Sequence, residues 1–233
     1  WLDLTDNGDG TAVLTGTPDN ADVGDHTVTL RVEDLAGAYV TQTFSIEVTN
    51  INNPPEAGAD SYTINEDTPS SFAVMVNDND VDSGDTFTLH ALGTPDNGGE
   101  VMIDGNAVAY TPTLNFAGTE VFTYTIADGS LATDTTTVTV TVTNVNDAPL
   151  FSSTAVTDAT EDVAYSYVIT ATDPDLVYGD SLTITALVEP DWLSFSGNGD
   201  GTASLAGTPT NDEVGDHPVT LQVEDLAGVQ ITQ

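Results

Sequence analysis

The 233-residue chain carries 38 acidic residues and one basic residue, Arg31, which gives a formal net charge of −37 at pH 7. Such a charge opposes binding to nucleic acid and to anionic membranes, and its self-repulsion destabilises a compact state unless salt or bound cations offset it. The chain has no cysteine, so disulfide bonds cannot hold its domains together.

The first turn signal is NGDGTAVLTGTP at 7–18, which returns as NGDGTASLAGTP at 198–209. Its Asn-Gly-Asp-Gly core is similar to the start of an EF-hand calcium loop, which needs an acidic residue at position 1 and a bidentate Glu at position 12. When Gly10 is taken as position 6, Thr5 and Gly16 occupy these two positions. The pattern therefore predicts a tight β-hairpin turn and not a metal loop.

Segments that favour β-strands follow one another along the chain. They are rich in Val, Thr, Ile and Tyr, and their apolar residues recur at every second position, which indicates strands with one buried face. These segments lie at 26–33, 86–92, 120–127, 133–142 and 181–188. We expect no long helix, no membrane span and no secretory signal peptide. A folded all-β protein is predicted, although net charge alone would favour disorder.

The two ends of the sequence are copies of each other. Residues 1–42 align with residues 192–233 without a gap, and 28 of the 42 aligned pairs are identical. Fixed-period similarity is typical of a tandem array, and the offset of 191 residues is long enough for two sandwich-sized domains. We therefore expect two alternating kinds of domain and a chain that begins and ends inside a repeat.

Two Pro-containing linkers divide the sequence. NINNPP at 50–55 and NVNDAP at 144–149 each follow a long strand pattern, and Pro cannot continue a central strand. The predicted parts are the C-terminal half of a domain at 1–49, a linker at 50–53, a complete domain at 54–143, a linker at 144–148 and a third domain at 149–233. We expect the third domain to lack the strand that residues 43–49 supply in the first copy. That absence would leave an open sheet edge and a notch in the core.

Short β-sandwiches joined by Asn/Asp-Pro linkers, with aspartate pairs inside them, resemble the cadherins and their bacterial relatives. The flanking copies look like dystroglycan-type cadherin-like domains, through P-x-W-L at 190–193, GTP, and V-x-D-x-x-G at 223–228. The middle domain is similar to the cadherin-like modules of large bacterial surface adhesins, through INEDTP, NDNDVDSGDTFTL, YTPTLNFAGTEVFTYTIADG and NVNDAP. The resemblance implies tandem cadherin/immunoglobulin-like Greek-key β-sandwiches in a linear array.

The resemblance also implies calcium ions at the domain junctions. In cadherins these ions are held by the linker, by a Glu of the preceding domain, and by an Asp pair and a later Asp of the following domain. The ligands implied at the second junction are Glu66, Asn144, Asn146, Asp147, Asp173, Asp175 and Asp225, with the carbonyls of Val145 and Ala148. Those implied at the first junction are Asn52, Asp78, Asp80, Asp82 and Asp128.

Elementary chemistry supports a cation at these Asp pairs. Carboxylates two residues apart, as in Asp173-Pro174-Asp175, point to the same side of an extended chain and repel each other, and calcium accepts six to eight oxygen ligands in flexible geometry. A simple turn is the alternative for this tripeptide. Both linkers have Asn where the animal cadherin linker begins with Asp, and Asn53 stands where the second linker has Asp147. We therefore expect fewer calcium ions per junction than in the animal proteins.

The sequence offers little for catalysis. It has no Cys, no Lys and no G-x-S-x-G motif, and its bases are His26, His90 and His217. We expect no enzyme but a calcium-binding structural or adhesive repeat segment of a large bacterial cell-surface or secreted protein, located outside the cell. Its expected partners are calcium ions and neighbouring repeats, with polysaccharide or another cell surface as open alternatives. A carbohydrate-binding module is the alternative function, although Trp1 and Trp192 each precede Leu in a strand pattern that favours a core position.

Overall fold

A computed structural model describes residues 1–233. The fold contains eighteen β-strands, three short 3₁₀ helices and no α-helix, so the predicted all-β class is confirmed. No helix has the length and apolar character that crossing a bilayer requires. Two compact units are present. The first comprises Trp1–Tyr62, Pro69–Pro112 and Thr119–Thr141, and the second comprises Thr63–Thr68, Thr113–Gly118 and Val142–Gln233.

Residues 1–49 form two separate two-stranded antiparallel sheets. Strands β1 (Leu2–Asp6) and β2 (Ala12–Gly16) pair with each other, as do β3 (Gly24–Glu33) and β4 (Tyr39–Val48). No residue of this segment is fully buried, because two-stranded sheets cover little apolar surface. The expectation that Trp1 occupies a core is therefore wrong, since 38% of its surface is exposed.

The predicted hairpin turns are confirmed in both repeat copies. The Asn7 N–H donates to the Thr11 carbonyl at 3.0 Å, and the Asn198 N–H donates to the Thr202 carbonyl at 3.0 Å. Glycines in the two turns have φ between +75° and +85°, in the left-handed region that a side chain disfavours. The Asn-Gly-Asp-Gly sequence thus closes a hairpin in each copy.

The middle part of the chain is a sandwich of two sheets. One sheet has the strand order β5-β11-β10-β7, and the other has the order β6-β9-β8. Aromatic rings from both sheets stack in the sequence Tyr62, Phe72, Tyr110 and Phe122, with ring centroids 4.2, 5.7 and 6.1 Å apart. The strands are β5 (Asp60–Asn65), β6 (Ser70–Phe72), β7 (Phe87–Leu92), β8 (Glu100–Asp104), β9 (Ala107–Thr111), β10 (Gly118–Asp128) and β11 (Thr133–Thr143).

The C-terminal part of the second unit is also a two-sheet arrangement. One sheet has the order β12-β13-β16-β15 and the other the order β14-β17-β18. A core of buried residues including Ile169, Leu205 and Leu221 fills the space between them, and Trp192 packs against this core. The strands are β12 (Leu150–Phe151), β13 (Tyr165–Thr172), β14 (Thr183–Val188), β15 (Leu193–Gly197), β16 (Thr202–Gly207), β17 (Thr220–Glu224) and β18 (Gln230–Thr232).

The two repeat copies differ at one sheet edge. In the first copy, β3 is ten residues long and pairs along its whole length with β4. In the second copy, the equivalent strand β17 has five residues and pairs with the three-residue β18. Gly215–Val219, the counterpart of the first half of β3, belongs to no strand. The sequence of this stretch is nearly the same in both copies, so the difference lies in what pairs with it.

Candidate metal centres

The second linker is held by carboxylates of the residues that follow it. The Asn146 side-chain amide donates to Asp225 Oδ2 at 2.8 Å, and the Asp147 N–H donates to Asp175 Oδ2 at 2.6 Å. Asp225 follows β17 directly, and its other oxygen accepts the Val229 N–H at 2.7 Å. All of these residues belong to the second unit.

A short helix positions the Asp pair of this site. Asp173 caps a 3₁₀ helix at Pro174–Tyr178, and its Oδ1 accepts the Asp175 N–H at 2.9 Å. Gly179 ends the helix with φ at +101° and leads directly into Asp180. Carboxylate oxygens of Asp173, Asp180 and Asp225 consequently lie within 4.8 Å of one another.

The residues after β5 complete this group of acids. Glu66 is 4% exposed, and its Oε1 accepts the Val145 N–H of the linker at 2.7 Å. Asp67 accepts the Asn115 N–H at 2.8 Å, and the side-chain amide of Asn115 lies 3.2 Å from Asp67 Oδ2 and 3.3 Å from Asp147 Oδ2. An amide nitrogen facing these oxygens donates to both, whereas the amide oxygen in that position requires a cation. We call Glu66, Asp67, Asp147, Asp173, Asp175, Asp180 and Asp225 the second-junction cluster.

Buried negative charge dominates the second-junction cluster. Burial, with the charges of neighbouring carboxylates, raises the pKa of Glu66, Asp147 and Asp173. Burial acts in the same direction on Asp225, but hydrogen bonds from Asn146 and from backbone N–H groups outweigh it and lower the Asp225 pKa. The cluster therefore contains carboxylates that are costly to keep charged in the absence of a counter-charge.

The protein supplies no counter-charge of its own there. Four oxygens of the cluster are buried without a hydrogen-bond partner, namely Glu66 Oε2, Asp173 Oδ2, Asp175 Oδ1 and Asp180 Oδ2. Arg31, the one Lys or Arg side chain, pairs with Glu33. By contrast, the fully buried Glu120 accepts bonds from the Asn97 N–H and the Tyr110 hydroxyl and needs no cation. An all-oxygen set of converging, unpartnered carboxylates fits a hard divalent cation such as calcium.

The first junction repeats the same network. The Asn52 side-chain amide donates to Asp128 Oδ2 at 2.7 Å, the Asn53 N–H donates to Asp82 Oδ2 at 2.6 Å, and the Asp82 N–H donates to Asp80 Oδ1 at 2.9 Å. Oxygens of Asp80, Asp85 and Asp128 lie within 4.8 Å of one another. The hydrogen bond from Asn52 lowers the Asp128 pKa, as the Asn146 bond does for Asp225. We call Asp80, Asp82, Asp85 and Asp128 the first-junction cluster.

Two of the predicted ligands make none of these contacts. Asp78 accepts the Tyr124 hydroxyl at 2.7 Å and the Gly58 N–H at 2.8 Å, within the middle sandwich. In the repeated network, Asp80 and Asp82 take the places of Asp173 and Asp175. Asn144 is exposed and takes part in no hydrogen bond of the second-junction cluster. Their roles as ligands stay predictions.

The structure also adds residues that sequence reasoning missed. Asp85 and Asp180 join the two clusters, and each follows a Gly shortly after the Asp pair, in SGD and YGD. This shared Gly-Asp dipeptide is the sequence signal that could have identified both residues as members of the clusters. Asn20 donates to Asp82 Oδ1 at 3.0 Å, and Asn115 contacts the second-junction cluster. Both asparagines follow a Thr-Pro dipeptide closely, in TPDN and TPTLN.

Two protein families match successive parts of the chain. Residues 52–141 match the family described as "Bacterial Ig domain", and residues 148–233 match the family described as "Putative Ig domain". Among curated proteins, Protein GAMETE EXPRESSED 2 of Arabidopsis thaliana is 32% identical over 135 residues. The match covers 57% of this chain but 14% of the relative, so the chain corresponds to a small part of that protein.

Solved cadherin ectodomains share the fold. The protocadherin gamma B4 extracellular domain has a TM-score of 0.59 at 17% identity, covering 100% of this chain and 40% of its own length. Extracellular cadherin domains 1–5 of protocadherin gamma B2 have a TM-score of 0.58 at 17% identity, covering 100% of this chain and 49% of their own. At this identity the likeness concerns the fold alone. The assignment to dystroglycan-type domains in particular stays a prediction.

Proposed function

We propose that this chain, a tandem series of Ig-like and cadherin-like β-sandwich repeats, is a calcium-binding segment that gives a large surface or secreted protein its stiffness. The observation that carries the proposal is the second-junction cluster, where buried carboxylate oxygens converge without partners in a chain with a single basic residue. Calcium supplies two positive charges and accepts many oxygen ligands. It would therefore give the cluster the counter-charge that it lacks and give its oxygens a partner.

The cluster residues come from three separate segments of the chain. Glu66 and Asp67 precede the linker, Asp147 lies within it, and Asp173, Asp175, Asp180 and Asp225 follow it. The existing hydrogen bonds from Val145 and Asp147 to these carboxylates hold the linker backbone against them. A calcium ion bound there would neutralise the repulsion among the carboxylates and so restrict the linker. Stiffening of the junction follows from this restriction, and the first-junction cluster would act in the same way.

We further propose that the segment works outside a bacterial cell. Extracellular calcium is abundant enough to fill weak sites, and the extreme acidity of the chain suits a setting rich in cations. Likeness to Ig-like bacterial domains and to cadherin ectodomains supports a surface or adhesive protein. Neighbouring repeats are then its partners along the array, and any adhesive ligand is bound elsewhere in the whole protein.

A calcium titration followed by affinity, stability and shape tests the proposal. We expect binding with a dissociation constant on the order of 10⁻⁴ to 10⁻³ M, the range of extracellular calcium modules. Because calcium binds the folded state, the melting temperature should rise with its concentration. Small-angle scattering should report a narrower distribution of maximum dimensions in calcium than in chelator. Identical melting curves and scattering profiles in the two conditions would contradict the proposal.

A further inference from the structure

Three Asn-Gly dipeptides occur in the chain, at 7–8, 97–98 and 198–199. In an Asn-Gly dipeptide the backbone nitrogen of Gly can attack the side-chain amide of Asn, because Gly has no side chain to obstruct the approach. This attack begins the spontaneous deamidation of asparagine. In a folded chain, its rate depends on what holds the Gly nitrogen and the Asn side chain.

The hairpin turns of the two repeat copies hold their asparagine side chains in the same way. The Asn7 side-chain amide donates to Thr11 Oγ1 at 2.9 Å, and the Asn198 amide donates to Thr202 Oγ1 at 2.7 Å. Both Asn-Gly dipeptides are exposed, and the Gly of each has φ at +75°. Backbone conformation, side-chain bonding and access of water are therefore matched between the two turns.

The two turns differ at the nitrogen that would attack. In the first copy, the Gly8 N–H donates to Asp6 Oδ1 at 2.9 Å. In the second copy the residue equivalent to Asp6 is Gly197, which has no side chain, and the Gly199 N–H donates to no group of the protein. A hydrogen bond to a charged carboxylate thus restrains the attacking nitrogen in the first turn and is missing from the second.

The third dipeptide is restrained at its asparagine. The Asn97 side-chain amide donates to Asp96 Oδ1 at 3.0 Å and to the Thr119 carbonyl at 2.9 Å, and its backbone N–H donates to Glu120 Oε1 at 2.6 Å. Turning this side chain toward the next backbone nitrogen would break both amide bonds, whereas Asn198 would lose a single bond to a hydroxyl. Of the three asparagines, Asn198 is therefore the least protected.

We propose that Asn198 is a site of spontaneous deamidation in the folded protein, and that Asp6 protects its repeat counterpart Asn7. The Gly199 nitrogen loses its proton and bonds to Asn198 Cγ, and the bond from Cγ to the side-chain nitrogen breaks, so that ammonia leaves. Water then opens the resulting succinimide at either carbonyl carbon and gives aspartate or isoaspartate. The net reaction consumes water, releases ammonia and replaces an amide by a carboxylate.

The turn that contains Asn198 is bonded to neighbouring segments. The Gly201 N–H donates to the Leu182 carbonyl at 3.0 Å, and the Gly201 carbonyl accepts the Ala171 N–H at 2.9 Å. Isoaspartate at position 198 lengthens the backbone by a methylene group shortly before these bonds. Conversion should therefore accelerate hydrogen exchange of the Ala171 amide.

Peptide mapping by mass spectrometry, after the folded chain has been incubated at mildly alkaline pH, tests the proposal. Asn198 should convert about tenfold faster than Asn7, because the bond from Gly8 to a charged carboxylate must break before attack. Asp6→Gly should raise the rate at Asn7 to that at Asn198. Asp3→Asn is the matched control, since Asp3 is an exposed acid of the same strand, and it should change neither rate.

Incubation in urea keeps the test decisive if Asp6→Gly perturbs the fold. The hydrogen bond to Asp6 is absent from the unfolded chain, so Asn7 and Asn198 should convert at similar rates there. Equal rates at the two sites in the folded chain, or a faster rate at Asn97 than at Asn198, would overturn the proposal. A tenfold difference that persists in urea would also overturn it, because the cause would then lie in the local sequence and not in the fold.

Discussion

At the scale of single residues, hydrogen-bond partners and not sequence neighbours decide whether an acidic side chain is available to a cation. Asp78 and Asp80 stand two positions apart, yet Asp78 bonds to the Tyr124 hydroxyl while Asp80 joins the first-junction cluster. Glu120 is completely buried and fully hydrogen-bonded, whereas Asp180 is partly exposed and leaves one oxygen unpartnered. Carboxylates without partners are the ones for which a bound cation changes the energy most.

The two junctions differ by one charge at equivalent linker positions. Asp147→Asn keeps the backbone bond to Asp175 and removes one carboxylate, so it should weaken the tightest calcium-binding step about tenfold, because affinity follows ligand charge. Asn53→Asp should strengthen the weaker step for the same reason. Isothermal titration calorimetry measures both effects. Asp104→Asn, at an exposed position of β8, is the control. An unchanged titration for Asp147→Asn would place the strong site at the other junction.

Asp180→Asn should raise the melting temperature in chelator and reduce the further rise that calcium produces. Its Oδ1 accepts the Ser181 and Leu226 N–H groups, and the unpartnered Oδ2 would become an amide nitrogen that donates to neighbouring carboxylates. In chelator the melting temperature should rise by about 4 °C, which corresponds to roughly 1 kcal/mol in a domain of this size. The further rise on adding calcium should shrink. Asp191→Asn, which is exposed, should change neither value. A lower melting temperature in chelator would argue against uncompensated charge at Asp180.

At the scale of elements, short loops control which residues meet. The 3₁₀ helix at Pro174–Tyr178 places Asp173 and Asp175 in the second-junction cluster. The Tyr178 side chain instead contacts the loop that carries Asn115. The Tyr178 hydroxyl accepts the Ala117 N–H at 2.8 Å and donates to the Asn115 carbonyl at 3.1 Å. The first-junction sequence DVDSGD is shorter and has no equivalent tyrosine. The loop that carries Asn115 is therefore held at the second junction by contacts that do not depend on calcium.

Tyr178→Phe should loosen this loop in calcium and in chelator alike. Loss of the hydrogen bond from the Ala117 N–H is worth about 1 kcal/mol, so exchange of that amide hydrogen should accelerate about fivefold. Tyr165→Phe removes a different hydroxyl bond in the same unit, to the Val156 carbonyl, and should leave Ala117 exchange unchanged. Equal exchange rates in wild type and Tyr178→Phe would mean that the hydroxyl does not restrain the loop.

At the scale of the whole molecule, the net charge sets the conditions for folding. The net charge of −37 opposes compaction everywhere, while the two clusters concentrate that cost at defined places. Screening by salt and specific binding of calcium should therefore both stabilise the protein, and the two effects should depend differently on the concentration of the added ion.

In chelator, the melting temperature should rise smoothly with sodium chloride, because the screening length falls from about 30 Å at 0.01 M to about 3 Å at 1 M. Calcium at constant ionic strength should add an increment that saturates. Magnesium should add less, because it demands a regular octahedral site and gives up its waters reluctantly. Differential scanning calorimetry separates the two contributions. Equal effects of calcium, magnesium and matched sodium chloride on the melting temperature would mean that calcium acts by screening alone and occupies no specific site.

The sequence by itself determined the all-β class, the hairpin turns and the repeat, because period-two alternation and Asn-Gly turns act over a few residues. It also indicated the Asp pairs, since residues two apart are held together by the chain. Only the tertiary structure decided that Asn146 meets Asp225, that Asp85 and Asp180 join the clusters, and that Asp78 accepts the Tyr124 hydroxyl. These outcomes depend on loop geometry, such as the left-handed Gly179, and on side chains brought together across 79 positions of sequence. No local pattern encodes either one.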